Sequence, residues 1–194
     1  MLAAVFWWVT TSTVAVTGSA PAANPGPTIF EQNDGRGLPN RTFADRMTLK
    51  SGADQIDLHY FGRGHTNGDA WVLFPAVRVV HAGDIFAWNN RIPFVDASNG
   101  GSGVELPDTL TKAHTALSKS ADVIITGHSA VMNFEDLSRW AEFNRDFLNA
   151  MRQAKQAGRS VEEAAKMWTP PAEFDAPQEA RLLGNIHAIY SELP

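Results

Sequence analysis

Three polar residues stand directly after a glycine, each just past the end of a predicted strand. They are His65 in "GRGHTNGD", Asp84 in "HAGDIF" and His128 in "ITGHSA". Loops that follow strands often carry functional side chains, because the strands hold them rigidly. Glycine lets the backbone turn sharply and approach another group closely. The pattern therefore suits three side chains that turn towards one shared point.

The types of these side chains restrict the chemistry they could perform. The chain contains no cysteine, so disulfides and thiolate ligands are excluded, and any metal must be held by imidazole and carboxylate groups. Two histidines and an aspartate are ligands for zinc or another first-row metal. Each residue alone also has a structural explanation. His65 could be an exposed turn residue, Asp84 an Asx-turn residue and His128 a cap of the turn that follows it.

Composition favours one folded domain and argues against nucleic acid as a partner. The chain has 194 residues, of which 44% are hydrophobic and 19% charged. These proportions allow a hydrophobic core of ordinary size. The formal net charge is -5, and no cluster of lysine or arginine stands out along the chain. Nucleic-acid binding is not expected, because it requires a basic surface.

The first 27 residues differ from the rest of the chain. They are apolar, they lack lysine and arginine, and "GSAPAA" resembles a signal-peptide cleavage site without the basic segment that normally precedes one. Two interpretations stay open. An atypical signal peptide would place the protein in the periplasm or outside the cell, whereas a disordered or strand-like leader would leave it in the cytoplasm. The polar run Thr10 to Thr13 leaves too short a segment for a membrane span. Residues 28–194 form the predicted domain.

Hydrophobic periodicity predicts an α+β fold for this domain, with strands first and helices later. The region from 134 onwards is helical, with Gly158 ending one helix and Ser160 with Glu163 capping the next. The predicted strands are 28–32, 46–50, 54–61, 70–74, 77–82 and 122–126, and the predicted helices are 107–120, 134–158, 161–168 and 177–193.

The stretch "GRGHTNGDAWVLFPAVRVVHAGDIF", followed by "ADVIITGHS", resembles the carboxyl-terminal half of a metallo-β-lactamase-fold hydrolase. The resemblance covers roughly residues 28–170. It implies half of an αββα sandwich, a mostly antiparallel β-sheet with helices packed on one face. It also implies one or two zinc ions. His65 would complete the three-histidine site of one zinc, Asp84 would bridge both, and His128 would bind the second.

The resemblance further implies a hydrolase of small molecules. With aspartate at position 84, the chain resembles the thioester, phosphodiester and lactone hydrolases of this fold. The zinc β-lactamases of the same fold tend to carry cysteine or serine at the corresponding position. The loop from Asn89 to Gly103 corresponds to a segment that shapes the substrate pocket in relatives. The predicted residues of the pocket or around the ligands are Thr66, Asp69, Asn99 and Ser129.

One motif of the family is missing from the sequence. Nothing in residues 1–64 resembles His-x-His-x-Asp-His, which supplies the first ligands in relatives. We therefore expect a truncated zinc hydrolase with an incomplete metal site. The alternative is a non-catalytic remnant that binds a metal or a partner weakly. A half sandwich would leave one sheet face uncovered, which favours a homodimer.

An α/β-hydrolase is a further alternative. "DVIITGHSAV" places a Gly-x-Ser sequence after a strand, and Ser129, Asp175 and His187 follow the Ser, Asp, His order of such enzymes. Val131 stands where the nucleophile elbow requires glycine. This alternative also leaves His65 and Asp84 without a role.

Overall fold

The computed structural model describes residues 29–36 and 41–194, with the backbone alone at residues 29 and 30. It contains one sheet of five strands in the order β1-β2-β3-β4-β5. The first three pairings are antiparallel, and β4 pairs with β5 in parallel. The α+β class with a mostly antiparallel sheet is therefore confirmed. The predicted leader lies outside the described residues. The strands are β1 (Arg46–Leu49), β2 (Ile56–His59), β3 (Trp71–Phe74), β4 (Val79–Gly83) and β5 (Val123–Thr126).

Short 3-10 turns join two of the three antiparallel strand pairs, at the gaps between the predicted strands. Gly52–Asp54 connects β1 to β2, and Gly52 has a φ of 64°. Pro75–Val77 connects β3 to β4, and Arg78 closes this turn in the left-handed region with a φ of 55°. These tight connections fix the register, so that Leu49 pairs with Ile56 and Phe74 with Val79.

The predicted strand at 28–32 is wrong over its described part, because residues 29–32 form a short helix. No strand of the described sheet pairs with this segment. Its two apolar residues are too few to support a strand without a partner, and Asp34 and Gly35 take positive φ values of 52° and 74° directly after it. The helices are α1 (Ile29–Gln32), α2 (Leu106–Leu117), α3 (Phe134–Gln156), α4 (Val161–Met167) and α5 (Glu179–Glu192).

The predicted ends of the later helices are close to those observed. Asn133 and Asp136 form a capping box at the start of α3, and Ser160 and Glu163 form the predicted one at the start of α4. Gly158 has a φ of 73° between the two helices, a conformation that favours glycine. None of the helices in the described part of the chain has the length and hydropathy needed to cross a membrane.

The hydrophobic core lies between one sheet face and the helices. The predicted apolar face of α2 is buried there, and Trp140 and Phe147 approach it from α3. The apolar sequence of β5 is typical of a strand buried on both faces, but Ile125 on the opposite face is 39% exposed. Because the core anchors β4, β5 and α3, it also fixes the loops that leave these strands. The sheet residues of this core are Trp71, Leu73, Val80, Ala82 and Ile124.

Candidate functional site

His65, Asp84 and His128 come from three separate loops and meet at one surface position. His128 Nε2 lies 3.1 Å from Asp84 Oδ1, and His65 Nε2 lies 3.8 Å from Asp84 Oδ2. The side chains of His65, Asp84 and His128 are 17%, 39% and 56% exposed, respectively. The carboxylate thus lies between two imidazoles, and solvent or a ligand can reach the group.

His65 has a defined orientation. Its Nδ1 lies 2.8 Å from the carbonyl oxygen of Phe94. A carbonyl oxygen only accepts hydrogen bonds, so Nδ1 must carry the proton, and Nε2 is left facing Asp84. The backbone is fixed as well, since the Asp96 amide donates to the His65 carbonyl at 2.9 Å. A Cβ atom on Gly101 would overlap that carbonyl, which explains the glycine there.

Thr66 and Asp69 brace the turn that carries His65. The Thr66 amide and hydroxyl donate to the Asp69 carboxylate at 3.0 Å and 2.8 Å. Asp69 is buried, and burial raises the pKa of its carboxyl group, whereas the hydrogen bonds from Thr66 act in the opposite direction. Both residues therefore lie next to a candidate ligand. The Gly64 and Gly68 amides also donate to the Thr66 carbonyl and hydroxyl, at 3.1 and 3.2 Å, so these hydrogen bonds brace the turn.

Two glycines from different loops, Gly83 and Gly127, determine the position of Asp84. Gly83 ends β4 with φ 58° and ψ -144°, a conformation that side chains disfavour, and Asp84 begins the 3-10 turn Asp84–Phe86. A Cβ atom on Gly127 would overlap Asp84 Oδ1 and would lie 2.9 Å from the Gly83 carbonyl oxygen. The loop after β5 can approach Asp84 this closely only because residue 127 has no side chain.

Gly127→Ala should therefore destabilise the protein by about 1–3 kcal/mol, because the new methyl group forces Asp84 and the Gly83 backbone to move. Urea denaturation measures this change in the free energy of unfolding. Gly184→Ala is the matched control. Nothing lies within 4 Å of a Cβ atom at this position in α5, and alanine should stabilise the helix by about 0.5–1 kcal/mol. Two variants of equal stability would contradict the close approach.

His128 lies on a loop that folds back onto its own strand. Ile124 and Met132 exchange backbone hydrogen bonds of 2.8 and 2.9 Å, which closes the loop between them. The imidazole stacks on Trp88, with ring centroids 5.4 Å apart and an angle of 19° between the planes. The predicted pocket residue Ser129 lies beside His128, and its amide donates to Thr126 Oγ1 at 3.1 Å.

The structure does not join the residues of the α/β-hydrolase alternative. Asp175 forms an ion pair with Arg91 at 3.0 Å, and His187 is exposed on α5. No described hydrogen bond or ion pair connects either of them to Ser129. The next helix begins at Phe134, five residues after the serine, so the tight strand-to-helix turn that activates such a serine is absent from this segment.

Asn99 lies in the 3-10 turn Ala97–Asn99. No contact between Asn99 and either histidine is described. Its side-chain amide donates to Asp96 Oδ2 at 2.7 Å, and its carbonyl accepts from the Asn67 amide at 3.1 Å. These bonds connect the segment after Phe94 to the loop that carries His65. A role for Asn99 in a substrate pocket stays a prediction.

Sequence reasoning missed a group of residues that holds the segment between Trp88 and Val95. Asn185 of α5 is 1% exposed. Its Oδ1 accepts from the Val95 amide at 3.1 Å, and its Nδ2 donates to the Pro93 carbonyl at 2.7 Å. These bonds flank Phe94, whose carbonyl orients His65. The contacts span about 90 residues of sequence, and no local pattern indicates them.

Asn185→Leu should destabilise the protein by about 2–4 kcal/mol, because it leaves a buried N–H and a buried C=O without partners. Guanidinium denaturation measures the change in the free energy of unfolding. Asn89→Leu in the same segment is the control, since no hydrogen bond of the Asn89 side chain is described. If both variants lost the same stability, the two bonds of Asn185 would not fix this segment.

The donor types in the site suit zinc, but the side chains do not form a closed cage. Within residues 29–36 and 41–194, no group of three or more His, Asp or Glu side chains is arranged to hold a metal ion. Tetrahedral zinc with bonds of about 2.0–2.2 Å places neighbouring donor atoms about 3.4 Å apart. Measured to the single oxygen Asp84 Oδ2, His128 Nε2 lies at 3.3 Å and His65 Nε2 at 3.8 Å. Shifts of a few tenths of an ångström would bring these two distances to that value, and they are two of the three donor separations that a shared zinc requires.

Comparison with known proteins finds similarity in structure. No family model and no curated protein matches the sequence. A stereoselective inverting sec-alkylsulfatase from Pseudomonas sp. matches with a TM-score of 0.60 at 15% identity, over 79% of this chain and 26% of that chain. A metallo-β-lactamase from Pontibacter korlensis matches with a TM-score of 0.47 at 19% identity, over 61% of this chain and 54% of that chain.

The alkylsulfatase match bears on the fold. The chain spans about a quarter of the alkylsulfatase and about half of the metallo-β-lactamases. The alkylsulfatase has the metallo-β-lactamase fold, and its match extends over the greater part of this chain. At the level of the fold, the chain is therefore similar to metallo-β-lactamase-fold proteins, as its three glycine-flanked motifs predict.

Proposed function

We propose that the protein is a zinc-dependent hydrolase of small esters, thioesters, lactones or phosphodiesters, with His65, Asp84 and His128 as zinc ligands. One observation carries this proposal. The Nε2 atoms of two histidines from distant loops face the two oxygens of one partly exposed carboxylate. The shared fold is consistent with the ligand roles that the motifs imply, and it does not by itself establish an activity.

The tautomer of His65 favours a cation at this position. Because Nδ1–H is bound to the Phe94 carbonyl, a neutral His65 directs the lone pair of Nε2 towards Asp84. Two electron-rich groups that face each other repel, and a metal ion shared between them removes the repulsion. A histidine whose second nitrogen donates to a backbone carbonyl is also the usual arrangement in metal sites, since that bond fixes the ring.

The three residues would play different parts in such a site. His65 is the least exposed and the most firmly oriented, so it would hold the metal in place. Asp84 contacts both histidines and would be the central ligand. His128 is the most exposed of the three and is supported by Trp88 on one face. When bound, zinc would supply Lewis-acid chemistry that polarises a scissile carbonyl or phosphoryl oxygen.

Hydrolysis by zinc-loaded and chelator-treated protein tests the proposal. The assay uses 4-nitrophenyl acetate, a thioester, a lactone and bis(4-nitrophenyl) phosphate, with a secondary alkyl sulfate added because the similar alkylsulfatase is named for that class. We expect turnover of at least one substrate to require zinc and to be lost in the double variant His65→Ala/His128→Ala. His187→Ala, an exposed histidine of α5, is the matched control and should keep its activity.

Three results would count against this function. If no substrate were hydrolysed in a zinc-dependent manner, the hydrolase proposal would fail. If zinc were bound without turnover, the protein would instead be a metal-binding domain, the alternative that the sequence also allows. Activity that survived in the double variant would locate the chemistry elsewhere in the chain.

A further inference from the structure

Arg181 completes a ring of side chains around one side of the candidate metal site. Its guanidinium carbon lies 4.8 Å from the ring centroid of Trp88 and 5.5 Å from that of Phe94. Trp88 stacks on His128, and Phe94 lies against His65, with ring centroids 5.4 Å apart in each pair. The contacts therefore run from His128 through Trp88, Arg181 and Phe94 to His65.

Asp84 closes this ring, because it contacts both histidines. On each path around the ring, one histidine and one aromatic side chain stand between the carboxylate and the guanidinium. A substrate held between them would reach the candidate metal at one end and a fixed positive charge at the other. Phe94 is 47% exposed, so an apolar face is also available to the body of such a substrate.

The hydrogen-bond donors of Arg181 are available to a ligand. Its described contacts are with the faces of two aromatic rings, and such cation–π contacts leave the N–H groups at the edge of the guanidinium unused. No ion pair or hydrogen bond of the Arg181 side chain is described. The nearby Arg91, whose guanidinium carbon lies 5.9 Å from the Trp88 centroid, differs in this respect because it already pairs with Asp175.

Among the charged side chains near Trp88, Arg181 is the cation without a described carboxylate partner. Arg181 and Arg91 place two guanidinium groups near one indole ring, whereas Asp175 neutralises one of them and Asp84 lies between the histidines. The formal charges of these four side chains sum to zero, so it is the position of the unpaired Arg181, and not a positive face, that favours an anion. A planar guanidinium held by aromatic rings is well suited to a bidentate contact with a carboxylate.

We infer that Arg181 binds a carboxylate group of the substrate, and that Trp88 and Phe94 position the guanidinium for this contact. The inference rests on the proposed function, because the bound molecule is a substrate only if the protein is a hydrolase. It assigns to that hydrolase the class of substrates that carry an anionic group beside the scissile bond and an apolar body. Arg181 is then a residue that determines specificity and lies outside the metal ligands.

Calorimetric titration with 4-phenylbutyrate and its neutral analogue 4-phenylbutyramide tests this inference. The full chain should bind the carboxylate about tenfold more tightly than the amide, which is the usual size of one charge-assisted contact. Arg181→Met should remove this preference, and Arg181→Lys should retain part of it. Arg152→Met is the matched control, since Arg152 is a partly buried arginine of α3 with no described ion pair.

Zinc content, measured on the same samples, separates this test from that of the proposed function. We expect Arg181→Met to bind zinc as the parent does and to lose only the carboxylate preference. A parent without any preference, or a variant that keeps it, would overturn the inference whatever the zinc content. A preference that depends on Arg181 in a protein that binds no zinc would support the anion site and would refute the hydrolase.

Discussion

Asp84→Ala should weaken zinc binding about 100-fold or more, the largest functional effect that we expect from a single substitution. Asp84 contacts the Nε2 atoms of both histidines, so its removal leaves two ligands with no group between them. Loss of a residue that only supports a ligand already weakens metal binding by about 10–100-fold. Competition with a fluorescent zinc chelator measures the dissociation constant of each protein.

Asp122→Ala is the matched control for this substitution. Asp122 is an exposed aspartate that pairs with Arg78 at 2.6 Å, and no contact with the site is described. Its removal should leave zinc affinity unchanged, and an exposed ion pair of this kind contributes about 1 kcal/mol or less to stability. Equal zinc affinities of the two variants would show that Asp84 is not a ligand.

Trp140→Ala should have the largest effect on stability, a loss of about 3–5 kcal/mol in the free energy of unfolding. Trp140 is 1% exposed and packs against Phe86 with ring centroids 5.2 Å apart. Its Nε1 donates to the Arg91 carbonyl at 2.8 Å. The substitution therefore opens a cavity beneath the 3-10 turn that begins at Asp84, and it leaves a carbonyl group without its partner. Thermal and chemical denaturation measure the loss.

Trp140→Phe separates packing from hydrogen bonding at this position. It keeps an aromatic ring in the core and loses the bond to Arg91, so it should cost less than Trp140→Ala. Met167→Ala controls for surface substitutions, because the Met167 side chain is 63% exposed and should contribute less than about 0.5 kcal/mol. If Trp140→Ala were as stable as Met167→Ala, the proposed anchor for the site would be wrong.

The convergence of His65, Asp84 and His128 could be predicted from the sequence because the information is local. Each residue follows a glycine in the loop after an apolar strand, and β2, β4 and β5 run in the same direction, so these loops lie at one edge of the sheet. The structure also explains two of these glycines in physical terms. Gly83 adopts a conformation that side chains disfavour, and Gly127 leaves room for the Asp84 carboxylate.

The surroundings of the site could not be predicted in this way. Arg181 and Asn185 lie one turn apart on the last helix, and their partners are about 90 residues earlier in the chain. In the sequence, Trp88 and Phe94 are ordinary loop aromatics. Their roles depend on the packing of α5 against the loop, a tertiary contact that hydrophobic periodicity does not reveal. The predicted strand at 28–32 failed for a related reason, since a short apolar pattern does not show whether a partner strand is present.

Anomalous diffraction at the zinc edge, from crystals of the zinc-loaded protein, tests the central claim most directly. We expect one strong peak within bonding distance, about 2.0–2.2 Å, of His65 Nε2, an Asp84 oxygen and His128 Nε2. Two peaks that share Asp84, one bonded to His65 Nε2 and the other to His128 Nε2, would also support the zinc site and would match the bridging role that the resemblance implies. The absence of a peak between these three side chains, or a peak at another position alone, would contradict the zinc site and the hydrolase built on it.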